Sequence, residues 1–153
     1  MSDFDLPITV LGAKRHRQLV AQLVNEKRAA ANPPRKPLKY ATSLRVSAQA
    51  WAMVCTRNSR FDHGNFPKRV LRFPFILAGK PHSRRVGENL GMGTGGFSSP
   101  RSIVNDWMNS PGHRANLLRK EFTYGAVWSS PDSPEPGKQK DGVTVVHHFG
   151  GKI

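Results

Sequence analysis

The first long periodic stretch of the chain runs from about His16 to Ala31. There Leu19, Val20, Leu23 and Val24, followed by Lys27–Ala31, recur at helical spacing. Asn32-Pro33-Pro34 ends it, because the residue before a proline is pushed out of helical backbone space. A second helix opens near Thr42 or Ser43, with Leu44, Ala48, Trp51, Ala52 and Cys55 on one face, a stripe expected in the core. From Asn58 to Arg85 no period is sustained, and Gly64, Pro67, Pro74, Gly79 and Pro81 break the chain repeatedly. This segment reads as a long surface excursion, a kind of segment that often carries function.

A third helix starts at Ser99-Pro100, with Ile103, Val104 and Trp107 inward. WMNSPGHRANLL, Trp107–Leu118, then reads as two short helices meeting at a corner. Ser110 is expected to cap the second through its hydroxyl and Pro111 to take its first position. His113 falls in the first turn, where the helix dipole disfavours protonation and biases the ring toward the neutral form. Beyond Lys120 the period changes. FTYGAVWSS and GVTVVHHFG read as antiparallel neighbouring strands, with SPDSPEPGKQKDG between them as a polar hairpin loop. In the last strand Val143, Val145, His147 and Phe149 share one face, and Thr144, Val146 and His148 the other. One of the two histidines is a candidate to approach the site, but the favoured reading is that both are structural or exposed. GMGTGG, Gly91–Gly96, matches the spacing of a dinucleotide-binding loop but lacks the strand-helix-strand context, and reads as a flexible loop.

Composition narrows the class. The 153 residues suit one domain, taken as 16–151 behind an N-terminal extension, 1–15. A hydrophobic content of 37% and a mean hydropathy of −0.51 fit a soluble globular protein, and no apolar run approaches the roughly 20 residues of a bilayer span. MSDFDLPITV lacks the basic and apolar regions of a secretory signal, so the chain stays inside or has lost a leader. Cys55, the single cysteine, reads as an inert core residue. Charge changes the picture more. The net charge is +14, and Lys27 to Arg85 holds 14 Lys or Arg against one acid, Asp62. Such a field favours polyanions, whether nucleic acid, acidic glycan, cell-wall polymer or anionic lipid. No helix-turn-helix, zinc-finger or RNA-binding motif accompanies it.

The candidate chemistry lies in His113, in Glu88 of GENL and in His63 of FDHG. Two neutral imidazoles and a carboxylate can bind a divalent ion of the zinc or copper kind, with water in an open position. Ser110, near His113 in sequence, is a candidate nucleophile with a histidine as base, although no HExxH or nucleophile-elbow motif is present.

Taken together, LVNEKRAA, PLKYATSLRVSAQAWA, FDHG, GENL, WMNSPGHRANLL, FTYGAVW and HHFG resemble the CAP superfamily in its short bacterial version. That superfamily groups cysteine-rich secretory proteins, wasp-venom antigens and plant pathogenesis-related proteins. The resemblance covers nearly the whole chain. It implies an α+β fold, a three-layer α-β-α sandwich with a central antiparallel sheet, and a broad cleft that in relatives often holds two histidines and two acids. Carried over, these are His63, His113 and Glu88; the second acid's position is Ser110 here, and His147 stands where relatives commonly have glutamine. The resemblance also implies a secreted or cell-surface location. Three functions follow as expectations. The favoured one is a noncatalytic binding module with a divalent-metal cleft and a basic surface for lipid, glycan or cell-wall polymer. The second is a hydrolase, metal-assisted or Ser/His-based, in the same cleft. The third is a nucleic-acid binder acting through the basic region.

Overall fold

The computed structural model describes residues 2–72, 76–77, 80–81, 84–134 and 142–152. The first periodic stretch is helix α2 (Ala13–Ala29), with Leu19, Val20, Leu23 and Val24 buried. It starts three residues before the expected His16. A 3-10 turn (Asp3–Asp5) and a one-turn helix α1 (Ile8–Leu11) precede it, and Ile8 is buried in the core. Four residues are too few to display a helical period. His16 is buried because it ties two elements together: its Nε2–H donates to the Ser98 carbonyl at 2.6 Å, and its Nδ1 accepts from the Ser129 hydroxyl at 2.7 Å.

The main sheet has the order β1-β5-β6-β4. Strands β4 (Arg84–Thr94) and β5 (Tyr124–Ser130) pair antiparallel with the central β6 (Gly142–Lys152). The two-residue β1 (Lys39–Tyr40) adds one parallel pairing outside β5. Alternation in β6 falls as the pattern requires. Val143, Val145 and Phe149 join Leu23, Val24, Ile103 and Trp107 in one core cluster, beneath α2, α5 (Pro100–Met108) and α6 (Pro111–Leu118). Val146 instead packs with Leu90, Trp51 and Cys55 beneath α3 (Thr42–Arg57) on the opposite face. The result is helices on both faces of the sheet, a mixed α+β architecture.

Two readings are corrected here. The Asn58–Arg85 stretch contains a helix, α4 (Phe66–Arg72), and a two-stranded hairpin of β2 (Ile76–Leu77) and β3 (Lys80–Pro81). Pro67 lies in the first turn of α4, where a proline is tolerated rather than disruptive. GMGTGG is not a flexible loop either. Gly91–Thr94 belong to β4, and Gly95 and Gly96 open a 3-10 turn. The glycines serve close approach: a Cβ on Gly91 would sit 3.1 Å from Ile103 Cγ2, and one on Gly93 2.1 Å from the Phe97 carbonyl oxygen. Residues 135–141 of the hairpin loop lie outside the described residues.

Arg28 locks α2 to the end of α6. It is 1% exposed, and its guanidinium donates to the carbonyls of Leu117 (2.7 Å), Arg119 (3.1 Å) and Phe122 (2.8 Å), while Nε donates to Lys36 (2.9 Å). A helix C-terminus leaves carbonyls without partners, and here one planar fork collects them. Arg28→Ala orphans these acceptors and is expected to destabilise the domain by on the order of 3 kcal/mol. Arg28→Lys should recover little, because an ammonium cannot span the same set; denaturant unfolding of both variants is the check.

Candidate functional site

Trp51, on the buried stripe of α3, fixes the loop that carries His63. Its indole Nε1 donates to the Asp62 carbonyl at 3.0 Å, and Asp62 Oδ1 accepts the Gly64 amide at 2.7 Å, so the FDHG turn is held from both sides. Helix α4 then brings back Arg69, whose guanidinium lies 3.6 Å over the Trp51 ring. Arg69 donates to the His63 carbonyl at 2.6 Å and to both Glu88 oxygens, at 2.8 and 2.9 Å.

Glu88 is the centre of this arrangement. Its side chain is 1% exposed, and strand register sets it opposite His148, on the face that α3 covers. Oε1 accepts from His63 Nδ1 at 2.7 Å, and Oε2 accepts from His148 Nε2 at 2.7 Å. Ser47 of α3 completes the line at 2.6 Å from His148 Nδ1. Burial alone would raise the Glu88 carboxyl; the hydrogen bond from His148, with the charge and hydrogen bonds of Arg69, outweighs it and holds the group below its ordinary value. Burial pushes the His148 ring down, against the pull of Glu88. The ring is therefore neutral, donating to Glu88 and accepting from the Ser47 hydroxyl.

The adjacent residue faces the other way. Asn89, fully buried, donates to the His113 carbonyl at 3.0 Å and accepts from Asn116 at 3.0 Å, so GENL is pinned to the corner helix. Trp107 adds a bond to the Leu90 carbonyl at 2.8 Å. Because β4 is an edge strand, the His63 loop from the α3 layer and the His113 corner from the α6 layer come together across it. His63 and Glu88 are in direct contact. His113 instead contacts Ser110, with Nδ1 2.9 Å from Oγ, and is near enough to His63 for a charge there to act on it.

The structure overturns the expected Ser110 capping bond and specifies the surroundings of the histidines. Ser110 occupies the cap position of α6 but makes no capping bond with its side chain, since the hydroxyl is turned to His113. His113 is held toward its neutral form, as expected, with burial as the largest cause and the charge of His63 as the second. His148 belongs to the network around Glu88, whereas His147 lies on the other face, stacked on Phe149 at 4.0 Å. Finally, among the described residues no group of three or more His, Cys, Asp or Glu side chains is gathered to hold a metal. Both Glu88 oxygens are already committed, one partner being a cation. Each imidazole does have Nδ1 engaged, His63 by a carboxylate and His113 by a hydroxyl, and a carboxylate behind the ring is how metal-binding histidines are ordinarily oriented.

Sequence reasoning missed Arg69, His148 and Asn116. Arg69 sat in a stretch without period. His148 had a signal, the face it shares with Val146, but not the knowledge that Glu88 is its cross-strand neighbour.

The buried rings make stability depend on pH. His16, His147 and His148 all have lowered values, His147 down to about 3, through burial. Unfolded, each takes a proton near pH 6.5; folded, each resists it. Their contribution is whole above pH 6.5 and is lost as the pH falls toward the folded values. Glu88 adds a further loss below its ordinary 4.5. The melting temperature is thus expected to start falling near pH 6.5, before carboxylates titrate. His148→Gln, which keeps a donor to Glu88, should lessen that first fall in a calorimetric pH series.

Comparison with known proteins agrees with this construction. The cysteine-rich secretory protein family (CAP) matches residues 21–147. The chain is 30% identical over 102 residues to the YkwD protein of Bacillus subtilis (strain 168), covering 61% of this chain and 38% of the relative. It is 26% identical over 135 residues to the peptidase inhibitor R3HDML of Mus musculus, covering 80% and 46%. The chain thus spans less than half the length of these curated relatives. Among solved structures, an outer surface protein of Borrelia burgdorferi superposes with a TM-score of 0.69 at 19% identity, over 89% of this chain and 92% of that one. No helix among the described residues is long and apolar enough to cross a membrane. By the match over 21–147 and the shared fold, this chain belongs to the cysteine-rich secretory protein family.

Proposed function

We propose that this domain is a noncatalytic binding module. Its cleft takes a divalent cation of the zinc or copper kind on His63 and His113, and its basic surface gathers anionic polymer or anionic lipid. The observation that carries the reading is the engagement of both Nδ1 atoms, His63 with Glu88 at 2.7 Å and His113 with Ser110 at 2.9 Å. Each ring keeps Nε2 as its remaining lone-pair nitrogen. Glu88 acts as the orienting partner of His63, not as a ligand, because Arg69 already neutralises it. Bound there, the ion would supply an open coordination position for a ligand oxygen. With two protein ligands the affinity is low, and it falls further in acid, since both rings must be neutral to ligate.

A hydrolase reading has one observation in its favour, the Ser110–His113 contact. It lacks the third member: among the described residues no carboxylate reaches His113 to orient it as a base. Ester and peptide turnover that Ser110→Ala abolishes would establish it.

Zinc titration calorimetry near neutral pH is expected to show weak binding in the wild type and none in His63→Ala. Ser110→Glu, which adds a carboxylate beside His113, should bind more tightly. Equal binding in wild type and His63→Ala overturns the metal reading.

The basic surface has its own readout. If the cations between Lys27 and Arg85 other than the internally committed Arg28 and Arg69 neutralise several phosphates, affinity for anionic vesicles should fall on the order of a thousandfold from about 50 to about 200 mM salt. Salt-indifferent binding would refute it.

A further inference from the structure

The sheet carries a second recess at the edge away from Glu88. Strand β1 covers β5 only at Tyr124 and Gly125; beyond that point no strand among the described residues flanks β5 on its outer side. Helices α2 and α3 bound the opening, and a groove of about 560 Å³ lies over Ala126, Val127 and Trp128. That volume is within the roughly 300–1,000 Å³ of small-molecule sites.

The chemistry of the groove is one-sided. Lys14 and Arg17 from α2 and Arg45 from α3 line it, and no aspartate or glutamate does among the described residues. Its amides are turned to donate: Asn25 Oδ1 already accepts the Leu38 amide at 2.8 Å, and Gln49 Oε1 accepts from Arg45 at 2.5 Å. Two aromatic rings stand at the opening, Tyr40, 64% exposed, and Trp128, which carries Arg17 at 4.4 Å over its face.

His147 lines the groove although it is only 2% exposed. Its Nδ1–H donates to the His148 carbonyl at 3.1 Å, and burial keeps the ring neutral. Nε2 is therefore an acceptor, and it has no partner among the described residues. Since no unpaired buried side-chain nitrogen or oxygen is sealed from solvent there, the groove is where this lone pair is open.

A ligand that answers these features has an anionic oxygen for the cations, a hydroxyl to donate to His147, further oxygens for the amides and a C–H face to lie on a ring. We propose that the groove binds an acidic saccharide of one or two hexose units bearing a carboxylate. An acyl chain would leave the amides and His147 unanswered, and an inorganic anion would leave the rings so. The proposal does not rest on the His63–His113 cleft, and failure of zinc binding leaves it standing.

The test is a nuclear magnetic resonance titration of the full chain with digalacturonate, alongside the same disaccharide with its carboxylates reduced to alcohols. Saturable shifts are expected at Gly125, Ala126 and the Trp128 indole, with the neutral sugar at least about tenfold weaker. Arg17→Gln and Arg45→Gln, both at half-buried positions, should each weaken binding about tenfold while keeping the wild-type spectrum of the fold. Arg57→Gln, at the exposed end of α3 and outside the groove, should change nothing. Equal binding of acidic and neutral sugars, an equal loss in Arg57→Gln, shifts centred on His63 and His113, or no binding at all would each overturn the proposal. So would tighter binding of a tetraglutamate peptide. The acid-against-neutral comparison needs no variant, so a misfolded substitution does not spare the proposal.

Discussion

Glu88 places an ionised carboxylate, 1% exposed, at the edge of the sheet, and an isolated charge there would lose several kcal/mol of hydration. Three partners offset that loss, and they come from three separate pieces of chain: His63 from the FDHG turn, Arg69 from α4 and His148 from the central strand. Each needs its own support. Arg69 rests on the Trp51 ring, and Trp51 also holds the Asp62 carbonyl. His148 is backed by Ser47. The FDHG turn and Arg69 of α4, which follow no hydrophobic period, are thus organised around one charge rather than around a core stripe.

The same strand solves a second problem with alternate residues. Glu88 and Leu90 turn toward α3, while Asn89 turns toward α6 and takes up the His113 carbonyl. One tetrapeptide therefore fixes the loop on one layer and the corner on the other. Arg28 does comparable work at the far end of α6, where the carbonyls it collects set the path from the helix into β5. Both devices are polar groups satisfied by backbone, and both leave the cleft geometry dependent on groups that never face solvent.

Much of the fold was legible because it is written in period. The stripe Leu44, Ala48, Trp51, Ala52 and Cys55 and the alternating faces of β6 are local patterns, and all of the former are buried. The Ser99 cap was legible for the same reason, its hydroxyl accepting the Ser102 amide as the Ser-Pro start implies. The site was legible in part: His63 and Glu88 meet. Arg69 and His148 were not, because their roles depend on register and on a helix hidden among prolines. Ser110 shows the limit from the other side. Its position marks a cap, yet the hydroxyl binds His113, since a nearby imidazole competes for it with the helix amides.

The placement of charge separates the two sides of the domain in kind. At the β4 edge a carboxylate is buried and neutralised from within, so that the imidazole it orients meets solvent without a net negative charge behind it. At the β1–β5 edge no acid among the described residues lines the groove with the cations Lys14, Arg17 and Arg45, and the buried ring of His147 there is uncharged. Arg17 is held by an aromatic face and Arg45 by an amide, partners that position a guanidinium while leaving its charge unspent. A positive charge kept without a counterion beside a solvent-open recess draws anions, and the buried pairing of Glu88 does the opposite at the other edge. The chain's surplus of positive charge is therefore not a uniform coat: the fold cancels it locally in one place and leaves it standing in another.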